Sequence, residues 1–199
     1  IQTYESLLGR APDAAGLAYW TSLLNQGASR TAVVQQIEQS QEYLNLEVEA
    51  IYEKLLQRPA DAAGLSSFTS MLANGATVES VEATIAGSQE YFDRRGGGTT
   101  AGFINALYVD NLDRTADAAG EASFEQALAQ GALRAAIASA IFGSAEYQAD
   151  LINRYYQTYL GRAADSTGLA NFMTAMNQGA TNQAVIAAIV GSNEFFDEL

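Results

Sequence analysis

The sequence predicts an all-α protein of tandem helical repeats of about 48 residues, adjacent copies fused through shared helices and arranged in two pairs. Three observations predict it. The segment GRAPDAAGLAYW at residues 9–20 returns as QRPADAAGLSSF (57–68), DRTADAAGEASF (113–124) and GRAADSTGLANF (161–172). Apolar residues between these corners recur at helical spacing. Two stretches without Gly or Pro, 40–57 and 145–160, run from one copy into the next. Repetition at a nearly fixed period is the mark of a repeat architecture.

The first copy opens with a helix whose apolar face is Ile1, Tyr4, Leu7 and Leu8. Gly9 closes it and Pro12 stops it from continuing. Asp13 stands where an N-cap would accept from the free amides of a second helix, which carries Leu17, Trp20 and Leu24 on one stripe and ends at Gly27. Ser29 or Thr31 opens a third helix with Val33, Val34 and Ile37. Ser40 opens a fourth, with Glu42 in the first turn, where the helix dipole favours an anion. At roughly 1.5 Å per residue, the stretch 40–57 makes a helix of roughly 25 Å. It closes copy one and opens copy two.

Copy two repeats the order through Asp61, Phe68, Gly75, Thr77, Ile85 and Ser88. The octapeptide DRRGGGTT at 93–100 then interrupts what would be a second shared helix, because consecutive glycines are costly inside one. Thr99 or Thr100 caps a fresh start. Copies three and four follow through Asp117 and Asp165, and the shared helix between them is uninterrupted. The expected domains are therefore 1–95 (copies 1–45 and 46–95) and 96–199 (copies 99–148 and 149–199), joined by a linker of Gly96, Gly97 and Gly98. Half-helices at both ends are read as belonging to a longer chain.

Composition narrows function mainly by exclusion. The chain is 48% hydrophobic and 17% charged, which fits a folded protein. Ten basic residues against 23 acidic ones leave −13, so nucleic acid is not an expected partner. No apolar run is long enough for membrane insertion. Without Cys or His there is no thiol nucleophile, no Ser-His-Asp triad and no zinc site of the usual kinds.

The combined pattern Y-x3-LGR-x2-D-x2-GLxYW, LxxGA and S-x-EY resembles the bacterial domain-of-unknown-function family numbered 4214, itself distantly similar to phycobilisome linker domains. The resemblance covers nearly the whole chain in four copies. It implies a helical module of large secreted or surface bacterial proteins, extracellular or at the cell surface, with no established catalytic activity. Departures are Gln57 and Asp113 in place of the Gly before Arg, Glu121 in place of Leu17's counterpart, and Trp in copy one alone.

Four Arg/Asp sets keep one spacing: Arg10/Asp13, Arg58/Asp61, Arg114/Asp117 and Arg162/Asp165. Their structural reading is an Arg at a helix C-terminus and an Asp capping the next helix, the pair fixing the corner. Their functional alternative is calcium ligation by Asp, for which Asp110, Asp113 and Asp117 form the densest acidic cluster, Asp110 and Asp113 otherwise reading as a solvated helix face. Trp20 and its counterparts Phe68, Phe124 and Phe172 are expected in the core, with a sugar-stacking platform at Trp20 as the alternative. Tyr155 and Tyr159 are candidates for a partner groove. The expected function is a non-catalytic spacer, assembly or adhesion module meeting protein neighbours or surface glycans. The alternative is a carbohydrate- or calcium-binding accessory module. No cofactor is expected, calcium being the one metal left open.

Overall fold

The computed structural model describes residues 1–197, and every regular element among them is a helix. The last two residues of the expected fourth copy, 198 and 199, lie outside the described residues. Copy one contains α1 (Gln2–Leu8), α2 (Ala14–Asn25) and α3 (Arg30–Glu38), and α4 (Gln41–Leu56) carries it into copy two. Copy two continues with α5 (Ala62–Ala73), α6 (Val78–Ala86) and the short α7 (Gln89–Arg94). Then come α8 (Thr100–Leu112), α9 (Ala118–Ala129), α10 (Arg134–Phe142) and the second long helix, α11 (Ala145–Leu160). Copy four holds α12 (Ser166–Asn177), α13 (Asn182–Val190) and α14 (Asn193–Asp197).

Local chemistry sets these boundaries. After α2, Gly27 at φ 93 lets Ala28 N donate to Leu23 O and Gly27 N donate to Leu24 O. That doubly bonded stop uses two carbonyls the helix end leaves free. It recurs at Gly75, Gly131 and Gly179. Ser29, Thr77 and Thr181 accept from Ala32, Ser80 and Ala184 at the starts of α3, α6 and α13. In copy three the equivalent position is Leu133, which is exposed and offers no cap.

At the first corner of each copy the chain turns through a left-handed residue, Gly9 and Gly161 in copies one and four. Gln57 and Asp113 take the same conformation in copies two and three, at φ 52 and 53. A side chain there crowds the following carbonyl, and Gln lacks the short polar group that lets Asp tolerate it. Gln57→Gly is expected to raise stability by about 0.5–1 kcal/mol, after allowing for glycine's freedom in the unfolded chain. Urea unfolding followed by circular dichroism measures it.

The chain divides into two compact units. Unit one is Ile1–Leu46 with Leu151–Leu199, and unit two is Glu47–Asp150. This is not the expected division into 1–95 and 96–199. The third helices explain the difference: their apolar faces pack in pairs, α3 on α13 and α6 on α10. Copies one and four thus share one core, and copies two and three the other. Val34, Ile37, Leu44, Ile152, Val185 and Ile189 are buried in unit one. Ile51, Leu55, Val81, Phe103, Leu107 and Ile141 are buried in unit two. Gly96, Gly97 and Gly98 lie inside unit two rather than joining two bodies. Arg95, just before them, reaches Asp110 on α8 (Nε–Oδ2 3.0 Å), and Tyr91 donates to the same carboxylate at 2.8 Å. Burial, then the Asp110 charge, pushes the Tyr91 hydroxyl far above the ordinary tyrosine value. The glycine segment is therefore tied on both sides by side chains of α7 and α8.

Candidate functional site

The corner that recurs four times is the site the sequence singles out. Its aspartate caps the following helix in each copy: Asp13, Asp61, Asp117 and Asp165 accept from the amides of Gly16, Gly64, Gly120 and Gly168 at 2.7, 2.9, 2.9 and 2.9 Å. These bonds hold Asp61, Asp117 and Asp165 below the ordinary carboxylate range. Asp13→Ala is expected to lose about 1 kcal/mol of stability, the ordinary value of such a cap. A thermal melt against wild type checks it.

The arginine's main partner is not the aspartate three residues on. Arg10, Arg58, Arg114 and Arg162 each grip a glutamate 32 residues later with two parallel bonds. Nη2 donates to Glu42, Glu90, Glu146 and Glu194 at 2.7, 2.7, 2.7 and 2.8 Å, and Nε donates to the other oxygen of the same carboxylate. Such forked pairs fix geometry as well as charge. The aspartate lies further off, at 3.4, 3.7 and 3.7 Å in copies two to four. The glutamate is the last residue of S-x-E, whose serine caps its own helix: Ser40, Ser88, Ser144 and Ser192 accept from Tyr43, Tyr91, Tyr147 and Phe195. One tripeptide therefore starts a helix and anchors the corner of its own repeat.

Each guanidinium also lies over a tyrosine ring, Tyr4, Tyr52, Tyr108 or Tyr156, at 4.9–5.1 Å. In copies two to four the tyrosine hydroxyl rests against the glycine of D-x-x-G, where an added Cβ would strike it. Phe68, Phe124 and Phe172 pack against these rings at 6.0, 6.4 and 6.1 Å. Copy one differs. Tyr4 accepts from Arg10 at 3.2 Å, and the Trp20 indole lies over Gly16 instead. Trp20 is half-buried and meets Tyr19 edge-on at 4.7 Å, while Tyr19 is 53% exposed. Tyr155 and Tyr159 are half-buried, tilted neighbours on α11.

The hydrogen bond from Arg, ahead of all other causes, holds Glu42, Glu90, Glu146 and Glu194 below the ordinary glutamate range. A folded-state value below the unfolded one stabilises above the unfolded pKa, and that stabilisation disappears as pH falls through the folded value. With unfolded values of about 4.3 for Glu and 3.9 for Asp, the melting temperature is expected to hold down to about pH 5 and fall steeply below about pH 4. The pairs are half-buried to exposed, so added salt shrinks this drop. Melts at pH 6 and pH 3, with and without salt, test the sign.

The three acidic candidates are not gathered into one site. Asp110 has its side chain only 5% exposed and belongs to Arg95 and Tyr91, which corrects the reading of a solvated face. Asp113 is the left-handed residue after α8, and Asp117 is the cap of α9. Among the described residues, no three acidic side chains converge as metal ligands would. No helix among them is long and apolar enough to cross a membrane.

A further polar contact escaped sequence reading. The amide just before each capping aspartate donates to a side chain on the preceding helix: Ala60 to Glu49, Ala116 to Asn105 and Ala164 to Asn153, at 2.9–3.2 Å. Copy one has Pro12 there and no amide to satisfy. The signal was present as a polar residue twelve places before the aspartate in three copies.

The four corners coincide with four matches to the profile of the domain of unknown function 4214, over residues 2–47, 48–95, 83–151 and 147–199. The chain belongs to this family. Each match of the 4214 family contains one complete Tyr–Arg–Asp corner. No curated protein and no solved structure matches the chain.

Proposed function

We propose that the chain is a non-catalytic structural and interaction module of a large secreted or cell-surface bacterial protein, acting as spacer, surface-assembly or adhesion unit. One observation carries the reading: the polar residues that recur in every copy are engaged in closing the fold. Arg grips Glu, Asp takes an amide, and Tyr lies beneath Arg. A need that returns four times at one geometry is a folding need, whereas chemistry asks for one differentiated place. The acidic balance of −13 fits an extracellular setting with protein or glycan neighbours.

A carbohydrate-binding reading has one specific observation in its favour. Helix α2 carries no charge, has no fully buried residue, and exposes Leu17, Tyr19 and Leu24. Ala14, Leu17, Thr21, Ser22 and Asn25 line a shallow open depression along it. Titration calorimetry with calcium and a glycan panel separates the two. Silence in both is expected; a glycan heat that Leu17→Asp abolishes would put the second reading in place of the first.

A further inference from the structure

The contact between α3 and α13 in unit one joins copies that are remote in sequence, with residues 47–150 intervening. It repeats, at five matched positions, the contact between α6 and α10 in unit two. In unit two, a Cβ on Gly87 would lie 2.6 Å from Ala135 N. Arg134 donates to Gln89 at 2.9 Å and lies 4.4 Å over Phe92. In unit one, a Cβ on Gly191 would lie 2.9 Å from Thr31 N, Arg30 donates to Asn193 at 3.2 Å, and Arg30 lies 4.1 Å over Phe196. All five positions correspond at one constant offset. The end of one third helix meets the start of the other through a glycine, and an arginine clasps the helix that follows.

The joint has two unlike faces. The arginine face belongs to copies one and three; copies two and four carry Val78 and Asn182 at that position. The glycine face is used in copies two and four, while copy one has Gln39 in its place. A joint of unlike faces is heterologous, so nothing in its chemistry distinguishes a partner on the same chain from one on another. In unit two the partners are consecutive copies. In unit one they are the first and last copies of the chain.

We infer that the unit-one joint is exchangeable between chains, α13 of one molecule seating on α3 of a second copy of this chain in a head-to-tail assembly. Closure within one chain wins in dilute solution, because tethering holds the two faces at high effective concentration. Exchange takes over where chains are crowded, as in a surface layer. This deepens the assembly reading and rests on it. Failure of the joint alone would leave the calcium and glycan titrations of that reading untouched.

A charge exchange tests the joint. Arg30→Glu and Asn193→Arg are made in separate chains, both at exposed positions of unit one. Each single variant loses the clasp within its own chain, Asn193→Arg by setting two arginines face to face. Mixed and refolded together, the two can form a dimer with one wild-type joint and one new Glu–Arg joint. Native mass spectrometry is expected to show roughly tenfold more mixed dimer than either variant gives alone, the ratio that one charge-assisted contact sets. The double variant in one chain is expected to return to the wild-type monomer. Circular dichroism confirms that each single variant is folded. Mixtures with no more dimer than the separate variants would overturn the inference, as would dimers equally abundant in all samples.

Discussion

Gly120→Ala is expected to lower the unfolding free energy by about 2–3 kcal/mol, the range for forcing an extra methyl into a packed site. An ordinary helical Gly→Ala change works the other way, stabilising by about 1 kcal/mol. The sign reverses because a Cβ on Gly120 would sit 2.6 Å from the Tyr108 hydroxyl. Tyr108 cannot swing aside cheaply. Its ring is 7% exposed, with the Arg114 guanidinium 4.9 Å above it and Phe124 against it. Removing the hydroxyl removes the conflict, since the next atoms a Cβ would meet are the Asp117 oxygens at 3.5 Å. Gly120→Ala in a Tyr108→Phe background should therefore recover most of the loss. Gly16 is the internal control: no tyrosine lies over it, and Gly16→Ala should stay within about 1 kcal/mol of wild type. Urea melts of the four variants decide the matter. Equal losses at Gly16 and Gly120, or no rescue by Phe, would mean that the tyrosine does not hold the corner.

The helices were legible because period, caps and stops are local. The two uninterrupted stretches became α4 and α11, and Gly27 and its counterparts ended helices where a left-handed residue was needed. The partner of the arginine was not legible by proximity, since the glutamate is 32 residues away in sequence. The constant offset of R and S-x-E in all four copies carried that information, but a nearer acid three residues on competed for the same reading. The pairing of copies was least legible. Three consecutive glycines mark a break in a helix, and in a repeat sequence such a break reads as a domain boundary. What divides the chain instead is which third helices pack together, with Gly87 and Gly191 allowing close approach and Arg30 and Arg134 beside them. Such residues have no local signature. Asp110 shows the same limit: its role depends on Arg95, across a turn that the glycine run hid.

Lys54→Met is expected to destabilise unit two by about 2–3 kcal/mol, because it strands a buried carboxylate. Glu82 on α6 is only 6% exposed at its side chain and is held by Lys54 from α4 at 2.9 Å and by the Tyr147 hydroxyl at 2.9 Å. Without the lysine, one neutral donor must offset the desolvation of a full charge. The lysine itself is 30% exposed, which places the loss below the upper end known for fully buried pairs. Removing both charges should behave differently. Lys54→Met with Glu82→Leu is expected to lie within about 1 kcal/mol of wild type, since well-packed apolar groups often replace a buried pair without loss. Unit one differs at this position: the residue matching Glu82 is Ile186, buried in the third-helix core. An acid at this position is therefore not what a unit of this kind needs in order to fold. Its remaining use is selective, because the buried acid on α6 is tolerated only where Lys54 and Tyr147 meet it, which favours copies two and three packing together over other pairings. Urea unfolding of the two single variants and the double variant gives the coupling energy. A Lys54→Met protein as stable as wild type would show that water reaches the carboxylate and that the pair selects nothing.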